Sequence, residues 1–133
     1  MDAQQALADL MEISSQVDAA VVVGADGAPV ASSLPAERGE RLSRAAARLL
    51  EETGESGRRR PVQVEAATRE GSLFVVRDDG HTIAATTGPS PTAGLVLYDL
   101  RTCLRTLTEE EPAPKKPRRR RTKAEEGEAD ASS

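Results

Sequence analysis

The sequence has little aromatic surface and few of the residues that carry out chemistry. Phe74 and Tyr98 are its only aromatic residues, and Trp is absent. A chain with so few rings has no platform on which nucleic-acid bases can stack. A single cysteine and a single histidine exclude an internal disulfide bond and any metal site built from several cysteines. The sequence therefore favours binding over catalysis, and we predict that the protein is not an enzyme.

Long apolar runs and a basic N-terminal segment are also missing. No stretch approaches the ~20 apolar residues that span a bilayer, and the chain begins Met-Asp-Ala-Gln-Gln, without a secretory signal. We therefore expect a cytoplasmic protein. Asn is absent, while Ala, Arg and Glu are abundant. That bias is typical of a GC-rich bacterial gene.

Apolar residues are unevenly distributed along the chain. Residues 109–133 contain no Val, Ile, Leu, Phe, Tyr or Trp, so they cannot bury enough apolar surface to offset their chain entropy. We predict one domain over residues 1–108 and a disordered charged tail over residues 109–133. The domain has 11 basic and 15 acidic residues, whereas the tail has 7 of each. An acidic domain is a poor nucleic-acid binder.

Hydrophobic spacing predicts the element order α-β-β-α-β-β-β-α. Apolar steps of three and four residues indicate helices over residues 3–13 and 36–52 and a last helix after Pro91. The predicted strands are 19–24, 29–33, 62–66, 73–76 and 82–87. Asp-Gly pairs supply the turns of two β-hairpins. The pattern predicts an α/β (α+β) sandwich whose five-stranded, mainly antiparallel sheet carries helices on both faces, the first and third on the same face.

Three finer expectations follow from local patterns. Three consecutive valines, Val21–Val23, indicate a strand buried on both faces. Ser90 and Pro91 fit the N-cap and first position of the last helix. Leu95 and Tyr98 broaden that helix's apolar stripe, which predicts that it lies flat on the sheet.

The candidate nucleophiles and bases do not form a catalytic set. His81 would need an activated Ser or Cys beside it, and Ser72 is the nearest serine in sequence, outside any Gly-x-Ser-x-Gly motif. We expect His81 to be a solvent-exposed turn residue. Cys103 falls among the leucines of the last helix, where a free cysteine acts as a small apolar residue, although Arg101 and Arg105 leave a reactive thiol as the alternative.

Metal and cofactor motifs are equally weak. Asp78 and Asp79 precede Gly80, which favours turn chemistry over cation binding. No glycine-rich segment has the following helix or Lys-Ser/Thr pair of a phosphate-binding loop. We therefore predict no catalytic residue, no metal site and no cofactor.

Two basic clusters are candidate anion contacts. One is a loop before the third strand, where a solvated connector is the favoured interpretation. The other lies in the tail between acidic segments, where a solubilising role is favoured and non-specific binding to nucleic acid or an anionic surface is the alternative. The residues concerned are Arg58, Arg59, Arg60, Lys115, Lys116, Arg118, Arg119, Arg120, Arg121 and Lys123.

The order of elements and several motifs resemble the roadblock (dynein light-chain) family, which has a profilin-like sheet. The motifs are Val21-Val-Val-Gly-Ala-Asp-Gly27 with Val30-Ala-Ser-Ser33, Gly71-Ser-Leu-Phe-Val-Val76 and Gly94-Leu-Val-Leu-Tyr-Asp-Leu-Arg101. The resemblance covers residues 3–107 and does not extend to the tail.

The resemblance implies a module that binds proteins. It implies a homodimer or heterodimer formed through the second helix and the third strand, and a partnership with a small Ras-like GTPase as regulator or scaffold. The interface positions it implies are Leu42, Ala45, Ala46, Leu49, Val62, Val64 and Ala66. An accessory protein that acts on nucleic acid or anionic surfaces through residues 115–123 is the alternative.

Overall fold

A computed structural model describes residues 2–57, 61–78 and 80–110 of the chain. The helices are α1 (Ala3–Ile13), α2 (Ala36–Glu52) and α3 (Ala93–Glu110). The strands are β1 (Val17–Val23), β2 (Pro29–Ser32), β3 (Val62–Ala67), β4 (Ser72–Asp78) and β5 (His81–Thr87). The predicted order of elements is confirmed. α3 continues to Glu110, whereas the prediction ends the domain at residue 108; residues 111–133 of the predicted tail lie outside the described residues.

All five strands form one antiparallel sheet in the order β2-β1-β5-β4-β3. The three valines of β1 alternate between its two faces, because successive side chains of a strand point to opposite sides. Val22 packs into the core on one face, and Val21 and Val23 pack into the core on the other. The predicted burial of this strand on both faces is confirmed.

The helices divide between the two faces as predicted. α1 and α3 cover one face, where Leu7, Phe74 and Leu100 belong to a single buried cluster. Among the described elements, α2 is the one that covers the other face, through Ala46 and Leu50. Gly39 brings the start of α2 close to β2, because a Cβ atom at this position would meet the Ser32 hydroxyl.

The start of α3 differs from the prediction. The helix begins at Ala93, and Ser90 adopts a left-handed backbone with φ of 59°. The Gln16 side chain accepts a hydrogen bond from the backbone N–H of Thr92 at 2.6 Å, and the Thr92 carbonyl accepts from the N–H groups of Leu95 and Val96. A side chain distant in sequence therefore holds the residue before the helix, and Ser90 is not its N-cap.

The outer side of α3 also differs from the prediction. Leu95 is 51% exposed and Tyr98 is 58% exposed, so neither belongs to the buried stripe. The buried row of α3 follows helical spacing and consists of residues no more than 5% exposed: Val96, Leu100, Cys103, Leu104 and Leu107. The prediction of a broader stripe was wrong because residues 95 and 98 lie on the far side of the helix from this row.

Candidate protein-interaction surface

The two edges of the sheet are protected differently. Unpaired N–H and C=O groups at a sheet edge can pair with another chain. At the β2 edge, the Gln4 carboxamide donates to the carbonyl of Ser32 at 3.2 Å and accepts from its N–H at 3.4 Å. Pro29 begins the same strand and has no N–H to offer. The β2 edge is therefore covered from within the chain.

In the part of the chain that the structure describes, the β3 edge has no comparable cover. β3 pairs only with β4 and has six residues, against four in β2. Its one side-chain hydrogen bond to another element, among the described residues, joins Gln63 to Arg101 at 2.6 Å and leaves the backbone groups of the strand untouched. Of the two edges, β3 is the one that can accept another strand.

The α2 helix presents a second apolar side next to this edge. We define the α2 flank as Leu42, Ala45 and Leu49. Leu42 and Leu49 are half-buried against the core, whereas Ala45 is exposed. Between this flank and Leu73 of β4 lies an open groove of about 440 Å³. Helix and edge strand together form one continuous surface, which we call the α2–β3 surface.

The predicted interface residues divide between the surface and the core. Leu42, Ala45, Leu49, Val64 and Ala66 are exposed or half-buried on the α2–β3 surface. Ala46 and Val62 are 1% and 6% exposed and belong to the core under α2. Whether a partner covers this surface stays a prediction, but Ala46 and Val62 can reach a partner only at its margin.

Charged side chains surround the apolar flank. Arg41, Arg44, Arg48 and Glu52 line the groove, and Arg41 lies 3.6 Å from Glu37 within the same helix. Both members of that ion pair are largely exposed, so it contributes no more than about 1 kcal/mol to stability. The arginines therefore remain available to carboxylates of a partner at little cost.

The residues weighed as catalytic do not come together. Ser72 pairs with Thr87 at one end of the β4–β5 hairpin, and His81 pairs with Asp78 at the other. Six residues of strand separate the two ends, about 20 Å. His81 begins β5 and is half-buried, so the prediction of a solvent-exposed turn residue was wrong: the hairpin turn is shorter than expected.

Cys103 is a core residue, as predicted. It is 5% exposed, and its Sγ lies 3.6 Å from the carbonyl oxygen of Ala6. Burial, with a smaller contribution from the Asp9 carboxylate, raises the pKa of this thiol from 9.0 to about 11. A thiol that stays protonated at neutral pH is a poor nucleophile, so the reactive alternative has no support.

The remaining candidates carry no site in the part of the chain that the structure describes. No group of His, Cys, Asp or Glu side chains is arranged to hold a metal ion there, and none of the described helices combines the length and apolar character needed to cross a bilayer. Arg58, Arg59, Arg60, Asp79 and the tail cluster 115–123 lie outside the described residues. Sequence reasoning missed Gln4, whose role depends on a strand 28 residues away.

Comparison with known proteins adds the family relationship. The sequence model of the Roadblock/LC7 domain matches residues 3–88, while no curated protein matches the chain. A solved Roadblock/LC7 domain from Streptomyces avermitilis is 24% identical, with 77% of this chain and 95% of that one covered and a TM-score of 0.65. The gliding protein MglB from Thermus thermophilus is 12% identical, with 80% of this chain and 86% of that one covered and a TM-score of 0.55. Profilin IA from Acanthamoeba castellanii is also 12% identical, with 80% of this chain and 97% of that one covered and a TM-score of 0.52. At these identities the structural matches establish the fold.

Proposed function

Because this chain belongs to the Roadblock/LC7 domain family, an interaction module rather than an enzyme family, we propose that it forms a homodimer and regulates or scaffolds a small Ras-like GTPase. The observation that carries the dimer is the contrast between the two sheet edges. Gln4 covers β2, while β3 is open beside the apolar α2 flank. The GTPase partner is proposed from the family resemblance, and a separate experiment tests it.

The charge pattern of β3 selects one register for pairing with a second copy. In a continuous antiparallel sheet across a two-fold axis, directly opposed residues lie on the same face. If the two-fold axis passes through Glu65, the two copies of Glu65 face each other, which is destabilising. If it passes through Val64 instead, Gln63 of one copy faces Glu65 of the other, and Val62 faces Ala66. We therefore take Val64 as the centre of the strand pairing.

The same axis brings α2 against its symmetry mate. Ala45 is the smallest and most exposed residue of the α2 flank, and a small side chain permits the closest approach of two helices. If the two helices cross in antiparallel orientation at Ala45, Arg38 of one copy faces Glu52 of the other, and Arg41 faces Leu49. The helix pair would thus combine apolar contact at its centre with opposite charges near its ends.

Symmetric cross-linking tests this dimer directly. A residue on a two-fold axis meets its own copy, so A45C should form an intermolecular disulfide under mild oxidation. The control is A47C, at an alanine that is also exposed but lies on the opposite side of α2. The native thiol is buried and should not contribute. Equal cross-linking of both variants, or none with A45C, would contradict the proposed arrangement.

The association itself is tested by adding charge at the axis. A45R adds two like charges that face each other across the two-fold axis, next to Arg41 and Arg48, and should convert the dimer to a monomer in light scattering. A47R makes the same change on the side of α2 away from the axis and should stay dimeric. A wild-type chain that is monomeric at high concentration would refute the homodimer.

The GTPase part of the proposal has a separate experiment. Ras-like GTPases from the same genome are loaded either with GDP or with a non-hydrolysable GTP analogue and mixed with the full chain. We expect one of them to bind in a nucleotide-dependent manner. A change in its single-turnover GTP hydrolysis rate on addition of the chain would indicate regulation, and an unchanged rate would indicate scaffolding. Absence of nucleotide-dependent binding to any of them would refute this part while leaving the dimer intact.

A further inference from the structure

The face of the molecule formed by α1 and α3 carries exposed apolar side chains that its own fold does not use. Ile13 is 73% exposed and Tyr98 is 58% exposed, and they line the same groove between the two helices. Leu95 is 51% exposed and lies on the same side of α3, one turn before Asp99. Single exposed apolar residues are ordinary, but a cluster around a concave surface marks a binding site.

The groove has a buried apolar floor. Ala6, Leu10 and Cys103 form this floor and are each less than 6% exposed. Its volume is about 250 Å³, below the ~300–1,000 Å³ of pockets that enclose drug-sized ligands. The groove therefore suits one or two bulky side chains of a peptide segment better than a whole small molecule. Thr102 also lines the groove, and its buried Oγ1 atom has no hydrogen-bond partner in the described part of the chain.

The rim of the groove is acidic. Asp9 and Asp99 line it, and none of the described residues that line it is basic. Of the two arginines of α3, Arg101 is directed to Gln63 on β3, and neither it nor Arg105 lines the groove. The effect of Asp9 on the buried Cys103 thiol is a sign of the same negative potential. An occupant that combines apolar side chains with lysine or arginine would complement both the floor and the rim.

Two occupants from the chain itself fit poorly. The tail supplies the positive charge in Lys115–Lys123, but residues 109–133 contain no Val, Ile, Leu, Phe, Tyr or Trp to fill the apolar floor. A second copy docked through the same face would bring two acidic rims together, and like charges disfavour such a contact.

We propose that the α1–α3 groove, defined by Ala6, Leu10, Ile13, Tyr98 and Cys103 with Asp9 and Asp99 at its rim, binds a basic amphipathic helix of a partner protein. The groove follows two packed helices, and a third helix can lay its apolar side into it through residues one turn apart. Lysine or arginine beside those residues would meet the two aspartates. The site lies on the sheet face opposite α2, so its occupation is compatible with any partner at the α2–β3 surface.

Selection from a random peptide library against the immobilised full chain tests the proposal. We expect recovered peptides to carry apolar residues one helical turn apart with neighbouring lysine or arginine. I13D should weaken their binding in fluorescence anisotropy by about tenfold or more, because it places a charge among the apolar contacts. V30D places the same charge at an exposed apolar residue of β2, Val30, which is 51% exposed, and should leave binding unchanged. Replacing Asp9 and Asp99 together with Asn should weaken basic peptides and spare uncharged ones.

Four outcomes would overturn the proposal. The first is recovery of no peptide, or of peptides without the apolar and basic pattern; the second is binding that I13D does not affect. In the third, replacing the basic residues of 115–123 with Ser strengthens peptide binding, which would make the chain's own tail the occupant. In the fourth, I13D halves the mass of the protein in light scattering, which would make the groove an interface between copies.

Discussion

Cys103 lies where α3 meets α1, with its sulfur near the Ala6 carbonyl. Its raised pKa of about 11 has a consequence for stability. Between pH 9 and that value the unfolded thiol loses its proton while the folded one keeps it, so the unfolded state binds fewer protons. The free energy of unfolding contributed by this group is therefore complete below pH 9 and is lost as the pH rises toward 11.

We expect wild-type protein to lose about 2 kcal/mol more than C103A between pH 8 and pH 11, in urea unfolding monitored by circular dichroism. All other ionisable groups are common to both proteins, so the difference isolates the thiol. Parallel pH profiles for the two proteins would show that Cys103 is accessible to water in the folded state.

Gly71 precedes β4 and touches the neighbouring strand more closely than any side chain permits. A Cβ atom at this position would fall on the backbone carbonyl oxygen of Thr87. G71A should destabilise the protein by about 1–3 kcal/mol, because backbone must move to admit the methyl group. G88A is the matched control, since a Cβ there meets nothing within 4 Å. Equal midpoints of thermal unfolding for the two variants would contradict this close approach.

At the scale of whole elements, Gln4 links α1 to the β2 edge through two hydrogen bonds to Ser32. Q4A should cost about 1–2 kcal/mol of stability and leave one backbone donor and one acceptor open to other strands. Q5A is the control, because Gln5 bonds through its side chain only to Asp9 in its own helix. Thermal unfolding measures the first effect, and light scattering after prolonged incubation measures aggregation through the exposed edge. Equal stability of the two variants would refute a covering role for Gln4.

The elements that sequence predicted best are those whose signals are local. Asp26-Gly27 and Gly80 mark tight turns with positive φ at both glycines, and the Val21–Val23 run encodes burial on both faces without reference to the rest of the chain. The start of α3 was missed because Gln16, distant in sequence, binds the N–H of Thr92. Composition cannot anticipate such a contact, and Ser90-Pro91 offered a plausible local alternative.

The candidate surfaces were only partly predictable for a related reason. The apolar spacing of α2 identifies Leu42 to Leu50 as one stripe, but which members face the sheet depends on the rotation of the packed helix. That rotation buries Ala46 and Leu50 and exposes Ala45. Likewise, Leu95 and Tyr98 look like core residues by type. Their exposure follows from which side of α3 faces the sheet and α1, which the type of residue does not specify.

At the scale of the whole molecule, the proposed dimer links stability to concentration. If the α2–β3 surface is covered in the native state and exposed on unfolding, folding and association are coupled by mass action. A tenfold rise in concentration then favours the native dimer by about 1.4 kcal/mol per dimer, which corresponds to a rise in the unfolding midpoint of about 3–5 °C when the two domains unfold together. The midpoint of A45R should not depend on concentration, because that variant unfolds as a monomer.

Calorimetry over a hundredfold range of concentration distinguishes the two surfaces of the molecule. Wild type, A47R and I13D should share the same concentration dependence, since residues 47 and 13 lie away from the proposed axis. Only A45R should lose it. A dependence that disappears in I13D instead would transfer the self-association to the α1–α3 groove, and an invariant wild-type midpoint would mean that the open β3 edge and the α2 flank face water in the isolated protein.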